Sequence, residues 1–365
     1  MEPQIYRARV ERLRKSLTEA GLGGAVLVPG PNLRYFTGVS SLLLERPFML
    51  LVQVDGPAHL VVPKLEAGPY RESPVNLVMH EWTDSQGWEG AIESATRELR
   101  PKGTWGVEGR VPFLFLHRLM KHTSPRFDDA EPVLQGLREV KDDAEVAMLK
   151  KAAEILSRSF EEFPDIVSEG VTELEFGHKA TELIYANGAT KVDDVLVQSG
   201  PRAADPHGLP ASRKMRRGDG IILDISCTFE GYYADVTRTL SLGAPKELRR
   251  VYSEVLEAEE LGIRAAKAGV QVGDVDAAAR NHLARAGLGK YFIHRTGHGL
   301  GLEVHEAPYI VEGGEEKLKD GMCFTVEPGV YLRGRLGVRI EDDVLIEKGG
   351  AAEITSPPKE FGWWA

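Results

Sequence analysis

The amino-acid sequence predicts an α/β (α+β) protein made of two domains. Its 365 residues are enough to form two hydrophobic cores of ordinary size. Strand-type and helix-type patterns alternate through residues 4–122, as they do in a compact α/β domain. The rest of the chain carries a faint internal repeat, in which pairs of helices precede strand-rich sequence.

The first domain begins with an amphipathic helix. Apolar side chains at Ile5, Val10, Leu13 and Leu17 alternate with charged ones and predict a helix over residues 4–20, which Gly21 ends. Short apolar runs predict the strands that follow, at residues 25–28, 49–54, 59–62 and 105–107. Residues 29–32 predict a turn and residues 113–122 a helix.

A turn-rich stretch from Pro125 to Gly136 separates the two domains. We therefore expect a first domain at residues 1–133 and a second at residues 134–365. Asp142 or Asp143 can cap a long helix that runs through Phe160.

The repeat in the second domain consists of two helix pairs. The long helix and a helix through residues 176–184 form the first pair, and helices over residues 247–267 and 275–283 form the second. A Gly-Val turn connects the helices of each pair, at Gly170 and at Gly269. Two similar halves that face each other would enclose a cleft. Chance similarity of the two turns is the alternative.

Composition narrows the classes of partner. A net charge of -10 disfavours nucleic acid or an anionic membrane as the main partner. Two cysteines, Cys227 and Cys323, are too few for a disulfide framework and suit a reducing compartment. No signal-peptide pattern and no apolar run of about 18 residues is evident. We expect a cytoplasmic protein.

Five acidic and histidine side chains lie on short apolar or glycine-rich segments of the last third of the chain. Burial of several carboxylates together is unfavourable unless cations offset their charge. A site for two divalent metals is the natural hypothesis. The five residues are Asp224, Asp235, His298, Glu327 and Glu341.

Asp224 and Asp235 flank a hairpin signal. Glu230-Gly231 is a typical turn between two antiparallel strands, which could bring both carboxylates to one end of a sheet. Carboxylate oxygens suit Mn²⁺, and an added imidazole widens the choice to Co²⁺, Fe²⁺ or Zn²⁺. An ordinary surface hairpin with two acids is the alternative.

His298 lies between glycines, which let the backbone approach a ligand closely. His294 and His305 are near it in sequence, so one short segment offers a ligand, a proton shuttle and a substrate hydrogen bond. A purely structural histidine is the competing interpretation.

Arg339 and Glu341 are expected on one face of a strand, and Asp342 on the other, outside the site. An arginine beside a metal-bridging carboxylate can orient it or bind a substrate carboxylate. A surface ion pair is the alternative.

Taken together, these segments resemble one known family, the pita-bread metallopeptidases of the Xaa-Pro dipeptidase (prolidase) and Xaa-Pro aminopeptidase branch. The resemblance implies a creatinase-like N-terminal domain followed by a pseudo-two-fold pita-bread catalytic domain. The matching segments are residues 32–38, 199–207, 294–299, 304–306, 327–329 and 338–342, together with Asp224 and Asp235.

The resemblance also implies a role for each metal ligand. Asp224 would bind one metal, and Asp235 and Glu341 would bridge both. His298 and Glu327 would bind the other metal. A water or hydroxide between the two ions would be the nucleophile, and Glu327 would accept its proton.

Further residues would act on the substrate. His207 and His305 resemble the family's histidines that hydrogen-bond the substrate and stabilise the tetrahedral intermediate. His294 would line the pocket for the proline ring, and Arg339 would lie near the proline end of the substrate. The family also implies a homodimer that takes Xaa-Pro peptides and two divalent ions per subunit, with Mn²⁺ as the first choice.

Competing functions within this fold differ in domain content and ligands. Methionine aminopeptidases typically lack a first domain of this size. Creatinases and non-catalytic binding proteins of the fold lack the complete ligand set. Between the two proline-specific activities we favour the dipeptidase over the aminopeptidase, because Arg339 could hold a free carboxylate and the chain is short.

Overall fold

The computed structural model describes residues 2–243 and 245–362, which form two compact units. The first unit ends at Arg138 and the second begins at Glu139. The helix that ends at Arg138 belongs to the first unit, because the Arg138 guanidinium donates to Asn32 Oδ1 at 2.9 Å. The domain limits of 1–133 and 134–365 stay a prediction, and their ends at residue 1 and at residues 363–365 lie outside the described residues.

The first unit is a six-stranded sheet with the order β4-β3-β2-β1-β5-β6. Its strands are β1 Gly24–Leu27, β2 Met49–Gln53, β3 Ala58–Pro63, β4 Leu77–Trp82, β5 Thr104–Val107 and β6 Arg126–Asp129. Its helices are α1 Pro3–Glu19, α2 Pro31–Thr37, α3 Gly68–Arg71, α4 Glu89–Leu99, α5 Phe113–Met120 and α6 Glu131–Arg138. The β3–β4, β1–β5 and β5–β6 pairs are parallel, whereas β1–β2 and β2–β3 are antiparallel.

Most elements predicted for the first unit are present. Val10, Leu13 and Leu17 of α1 are buried, as the helical spacing requires. The turn predicted at residues 29–32 is shorter than expected, because helix α2 already begins at Pro31, a residue well suited to the first helical position. Sequence analysis missed α2, α3, α4 and β4, and it also missed β6 and α6, which occupy much of the stretch from Pro125 to Gly136 that was expected to be rich in turns.

The second unit contains four long helices and ten strands among its described residues. The helices are α7 Asp143–Glu162, α8 Glu173–Ala186, α9 Lys246–Ala265 and α10 Val272–Arg285. The strands are β7 Lys191–Ser199, β8 Gly220–Phe229, β9 Tyr232–Ser241, β10 Gly297–Gly299, β11 Glu306–Ile310, β12 Cys323–Val326, β13 Gly329–Leu332, β14 Leu336–Arg339, β15 Asp342–Glu347 and β16 Gly350–Glu353.

The internal repeat is visible in two equivalent β-bridges, each of which connects a helix pair to a lysine distant in sequence. The residue that caps α8, Thr172, forms a β-bridge with Lys214. The residue that caps α10, Gln271, forms the equivalent bridge with Lys317. In each half the start of the second helix is therefore bridged to a segment that lies between two strands of that half, as expected for two copies of one helix–helix–strand unit.

The strands form a three-stranded sheet β7-β8-β9, a five-stranded sheet β11-β10-β12-β15-β16 and the ribbon β13-β14. Phe160 of α7 and Phe176 of α8 are buried in a core that they share with Leu223 and Ile225 of β8. The predicted α/β (α+β) architecture is present in both units.

Helix α7 begins at the predicted position. Asp142 is the N-cap: its side chain accepts from the Glu145 backbone N–H, and the Glu145 side chain accepts from the Asp142 N–H in return. Among the described residues, no helix is both long and apolar enough to cross a membrane.

Candidate metal centre

Asp224 and Asp235 lie on the predicted hairpin, strands β8 and β9. Both turn residues, Glu230 and Gly231, have positive φ angles, 48° and 75°, as a tight two-residue turn requires. In the register of this hairpin Asp224 pairs with Thr237, which lies two residues beyond Asp235. The two carboxylates are therefore diagonal neighbours on one face of the sheet.

His298 lies in the middle of the short strand β10, between strands β11 and β12. A Cβ at Gly297 would lie 1.8 Å from the Thr325 carbonyl oxygen, and one at Gly299 would lie 2.1 Å from that of Ala307. The flanking glycines thus allow close packing of strand on strand, whereas the sequence had indicated an approach to a ligand. They place the imidazole rigidly.

The hydrogen bonds of His298 define which ring nitrogen is available. Nδ1 donates to the carbonyl oxygen of Gly299 at 3.2 Å, so Nε2 carries the free lone pair. Burial, together with the nearby His305, lowers the pKa of His298 to about 3. A neutral imidazole with a free Nε2 is the form that binds a metal ion.

Glu327 directly follows strand β12. Its Oε1 lies 3.3 Å from His298 Nε2 and accepts from the Thr325 hydroxyl at 3.2 Å. Burial raises the pKa of Glu327 to about 7, although Arg339 opposes this shift.

Glu341 lies where the chain passes from one sheet to the next. Strand β14 ends at Arg339 and β15 begins at Asp342, so the single strand expected from the sequence is interrupted. Glu341 instead forms a β-bridge with Thr237, whose hydroxyl donates to the Glu341 carboxylate. Arg339 Nε donates to the same hydroxyl at 3.2 Å, so both side chains still face one side.

The carboxylates are brought close enough together to share cations. Ligand atoms of Asp235, His298 and Glu341 all lie within 4.8 Å of one another. Asp235 Oδ1 is buried without a hydrogen-bond partner in the described residues. Burial raises the pKa values of Asp235 and Glu341 well above their ordinary values, and repulsion between the acids adds to this. Divalent cations would remove both the repulsion and the missing contact, so the donor set fits metal ions.

A chain of hydrogen bonds lies beside the acids. Arg339 Nη1 donates to the Tyr331 hydroxyl at 2.7 Å, and that hydroxyl lies 2.8 Å from His294 Nε2. His294 Nδ1 donates to the carbonyl oxygen of Arg295 at 2.7 Å, so Nε2 must accept from Tyr331. Burial lowers the pKa of His294 to about 4. The chain therefore holds a neutral imidazole in one orientation.

Each of the three nitrogens of the Arg339 guanidinium donates a hydrogen bond to a side chain. Arg339 is 2 % exposed and contacts the Asp224 carboxylate, the Thr237 hydroxyl and the Tyr331 hydroxyl. These contacts orient Asp224 and favour a positioning role. Its predicted contact with a substrate carboxylate stays a prediction.

One cavity of about 430 Å³ collects all the residues that the sequence singled out. Exposed His207 and His305 line it, and the His305 ring meets the His298 ring edge to face with centroids 4.1 Å apart. The predicted residues in its wall are His207, Asp224, Asp235, His294, His298, His305, Glu327, Arg339 and Glu341.

Sequence analysis missed three residues of this region. Thr237 lies two positions after Asp235 on β9, so the period of a strand could have identified it. Tyr331 carried no such signal. Arg295, next to His294, also lines the cavity and stacks on the Tyr309 ring at 4.6 Å. In the described part of the chain, no carboxylate lies within ion-pair distance of Arg295.

Comparison with protein families places this chain. The model of metallopeptidase family M24 matches residues 147–348, and that of the creatinase/prolidase N-terminal domain matches residues 9–140. The chain belongs to metallopeptidase family M24. The resemblance found in the sequence is thereby confirmed, and the M24 chain is a metallopeptidase.

Relatives of this M24 chain include proteins named dipeptidase or prolidase and one named X-Pro aminopeptidase. A probable dipeptidase PepE of Mycobacterium bovis is 37% identical over 99% of this chain and 97% of its own. The crystal structure of a prolidase from Thermococcus sibiricus has a TM-score of 0.93 and 36% identity, covering 99% of both chains. An X-Pro aminopeptidase from Thermotoga maritima has a TM-score of 0.85 and 32% identity, covering 96% of this chain and 98% of its own.

Proposed function

We propose that this protein is a dinuclear-metal peptidase that hydrolyses the Xaa-Pro bond of dipeptides through a hydroxide held between the ions. The observation that carries the proposal is the convergence of five ligand-type side chains and three further histidines on one cavity. Apolar Leu196, Pro206 and Val304 in the same wall offer packing for a proline ring. Relatives named dipeptidase and prolidase support the same substrate class.

Five residues would hold two divalent ions, with Mn²⁺ proposed as the native metal and Co²⁺, Zn²⁺ or Fe²⁺ as alternatives. Asp235 and Glu341 would be shared, Asp224 would complete one ion's ligands, and His298 and Glu327 the other's. When bound, the two ions would polarise the substrate carbonyl and lower the pKa of the attacking water.

The protein's own side chains would perform the proton transfers and the orientation. Glu327, beside His298, would accept the proton of the attacking water and deliver it to the leaving nitrogen. His305 and His207, exposed on the cavity wall, would donate hydrogen bonds to the oxygen on which charge develops. His294, fixed by Tyr331, would form one side of the proline pocket.

Recognition of a free carboxylate would restrict the enzyme to dipeptides. Each guanidinium nitrogen of Arg339 donates to Asp224, Thr237 or Tyr331, so we assign it to positioning. Arg295 lines the cavity and, within the described residues, has no carboxylate in ion-pair distance. A guanidinium stacked on Tyr309 is preorganised to receive a carboxylate.

The test is substrate length. Purified enzyme loaded with Mn²⁺ is offered Xaa-Pro dipeptides and Xaa-Pro-Yaa-Zaa peptides of matched Xaa, and release of the first residue is measured. We expect the dipeptides to be cleaved with much the higher kcat/KM. Comparable kcat/KM for the longer peptides would instead favour an Xaa-Pro aminopeptidase, to which the Thermotoga maritima likeness also lends support.

A non-catalytic binding protein of this fold is the remaining candidate. It would bind metal stoichiometrically and hydrolyse neither peptide class. A homodimer and a cytoplasmic location, without nucleic-acid or membrane partners, complete the proposal. Light scattering at working concentration tests the dimer.

A further inference from the structure

A second cluster of metal-ligand side chains lies in the first unit. His59 is on β3 and His80 is on β4, and these strands pair in parallel with Val61 opposite His80. Both imidazoles therefore project from the same face of the sheet, as diagonal neighbours. Helix α4 packs against these two strands and contributes Glu98 from its last turn.

The two imidazoles are buried and in direct contact. His59 is 3% exposed and His80 is 6% exposed. His59 Nδ1 lies 2.9 Å from His80 Nε2, and the rings are nearly parallel, with an interplanar angle of 13°. Burial lowers the pKa values of both rings, which favours two neutral imidazoles, one of which donates an N–H hydrogen bond to the other. A hydrogen atom thus lies between the two ring nitrogens.

The distance between the two ring nitrogens is close to the distance between two nitrogens that bind one metal ion. Two nitrogens bound to tetrahedral zinc at about 2.0–2.1 Å are roughly 3.3 Å apart. The observed separation of 2.9 Å would have to widen by about 0.4 Å for a cation to replace the shared proton. Rotation of two side chains provides such a change without movement of the strands.

Glu98 supplies the negative charge that such a cation requires. Its carboxylate and the two imidazole nitrogens lie within 4.8 Å of one another. The hydroxyl of Ser94 donates to it at 3.4 Å, and no cationic side chain of the described residues pairs with it. A carboxylate in the last turn of a helix is also unfavourably placed relative to the helix dipole. A bound cation would relieve both features.

We propose that His59, His80 and Glu98 bind one divalent cation of the zinc class, with a fourth position left for water. Two imidazoles and one carboxylate suit Zn²⁺ or Co²⁺, whereas the carboxylate-rich cavity of the second unit suits harder ions such as Mn²⁺. The site joins β3, β4 and α4, so its occupancy stabilises the first unit. It belongs to different residues from those of the proposed peptidase site.

The experiment counts zinc in the full-length, tag-free chain. Asp235→Asn combined with Glu341→Gln removes two cavity ligands, and the protein is then dialysed against micromolar free Zn²⁺. We expect this background to retain one zinc per chain by elemental analysis. His80→Gln or His59→Gln in that background abolishes the bound zinc, and His80→Gln in the unaltered chain lowers total zinc by one per chain.

Two further variants keep the result interpretable. His117→Gln removes an exposed histidine of the same unit and leaves the zinc content unchanged. Glu98→Gln alters an exposed side chain, so the chain stays folded, and it weakens zinc binding at least about tenfold. Equal zinc in the background with and without His80→Gln, or no zinc at all in the folded background, overturns the proposal. Neither outcome depends on peptide hydrolysis.

Discussion

Two clusters of acids lie next to each other in the second unit, and the pKa values of their adjacent members Glu341 and Asp342 shift in opposite directions. Glu341 belongs to the cavity cluster with Asp235, whereas Asp342, the next residue, forms an ion pair with Arg238. Burial and the neighbouring acids raise the pKa of Glu341. Burial alone would raise the pKa of Asp342 too, but Arg238 and Lys359 lower it below its ordinary value.

The difference lies in the cations that the chain itself supplies. Asp342, Glu259 and Glu353 also bring ligand atoms within 4.8 Å of one another. Lys359 Nζ lies 2.9 Å from Asp342 and 2.8 Å from Glu259, so an ammonium group already occupies the position of a metal ion. The cavity acids instead leave Asp235 Oδ1 without a partner in the described residues. Arg339 pairs with Asp224, outside the group formed by Asp235, His298 and Glu341. Converging ligand atoms therefore indicate a metal site only when no side-chain cation forms an ion pair with them.

The largest expected effect comes from loss of a proposed metal ligand. His298→Ala or Glu327→Ala removes one donor of the cavity cluster. We expect loss of metal together with a fall in kcat/KM of at least about 10³-fold on an Xaa-Pro dipeptide. Elemental analysis and initial rates measure the two effects. Full activity in either variant would refute the ligand assignment.

Removal of a carboxylate from the cluster of Asp342, Glu259 and Glu353 should lower the stability of the protein. Asp342→Asn leaves the Arg238 guanidinium buried without its carboxylate, since both side chains are 0% exposed. We expect a loss of about 3–5 kcal/mol in the free energy of unfolding, measured by urea denaturation. Glu353→Gln, at the exposed edge of the same cluster, is the control and changes stability little. An unchanged denaturation midpoint for Asp342→Asn would contradict the structural role.

A variant of His207 tests the distinction between cavity residues that bind metal and cavity residues that act on the substrate. His207 is exposed, whereas the proposed ligands Asp235, His298 and Glu341 are buried. We expect His207→Ala to keep its metal content and to lose about 10²-fold in kcat. His178→Ala, outside the cavity wall, serves as the matched control. If metal is lost from His207→Ala, the residue has been assigned to the wrong group.

Without metal, neutralisation of a cavity acid should increase the stability of the protein, whereas neutralisation of Asp342 should decrease it. In chelated protein, Asp235→Asn removes repulsion from Asp224 and the unfavourable burial of charge. We expect this variant to be about 1–2 kcal/mol more stable than the unaltered chain without metal, and less stable than it with saturating Mn²⁺. Thermal unfolding with and without EDTA measures both signs. A destabilised variant in EDTA would show that Asp235 is balanced by the protein itself.

The smallest expected effect concerns two arginines. Arg238 is fixed by Asp342, whereas Arg295 stacks on Tyr309 beside the cavity. We expect Arg295→Met to raise KM for an Xaa-Pro dipeptide about tenfold, because one charge-assisted contact is lost, with little change in kcat. The matching Xaa-Pro amide, which lacks the carboxylate, should show no such change. A tenfold effect on both substrates would argue against carboxylate recognition.

The sequence predicted the parts of this molecule that depend on local pattern. The helix of residues 4–20, the capped start of α7 and the hairpin around Glu230-Gly231 follow from spacing and turn chemistry, and all are present. The expected proximity of the five ligand-type residues also matches their common cavity, although their roles remain proposals.

Other features depend on distant contacts and carried no local signal. Thr237 contacts Glu341 across 104 positions of sequence, and Tyr331 connects His294 to Arg339. Arg339 was expected near the substrate, and only the folded chain shows that each of its guanidinium nitrogens also contacts a side chain. The break between β14 and β15 likewise results from a change of partner strand, which the pattern Val338-Arg339-Ile340-Glu341 does not encode.

The crowded glycines around His298 have a consequence for how readily metal preference can change. Because Gly297 and Gly299 let three strands pack in contact, the imidazole is ordered before any ion arrives, and binding requires little further loss of conformational entropy. The same crowding excludes even a methyl group at either position. Laboratory evolution toward another metal should therefore leave strand β10 unaltered. It should instead vary the carboxylates, whose side-chain length can change without displacing a strand.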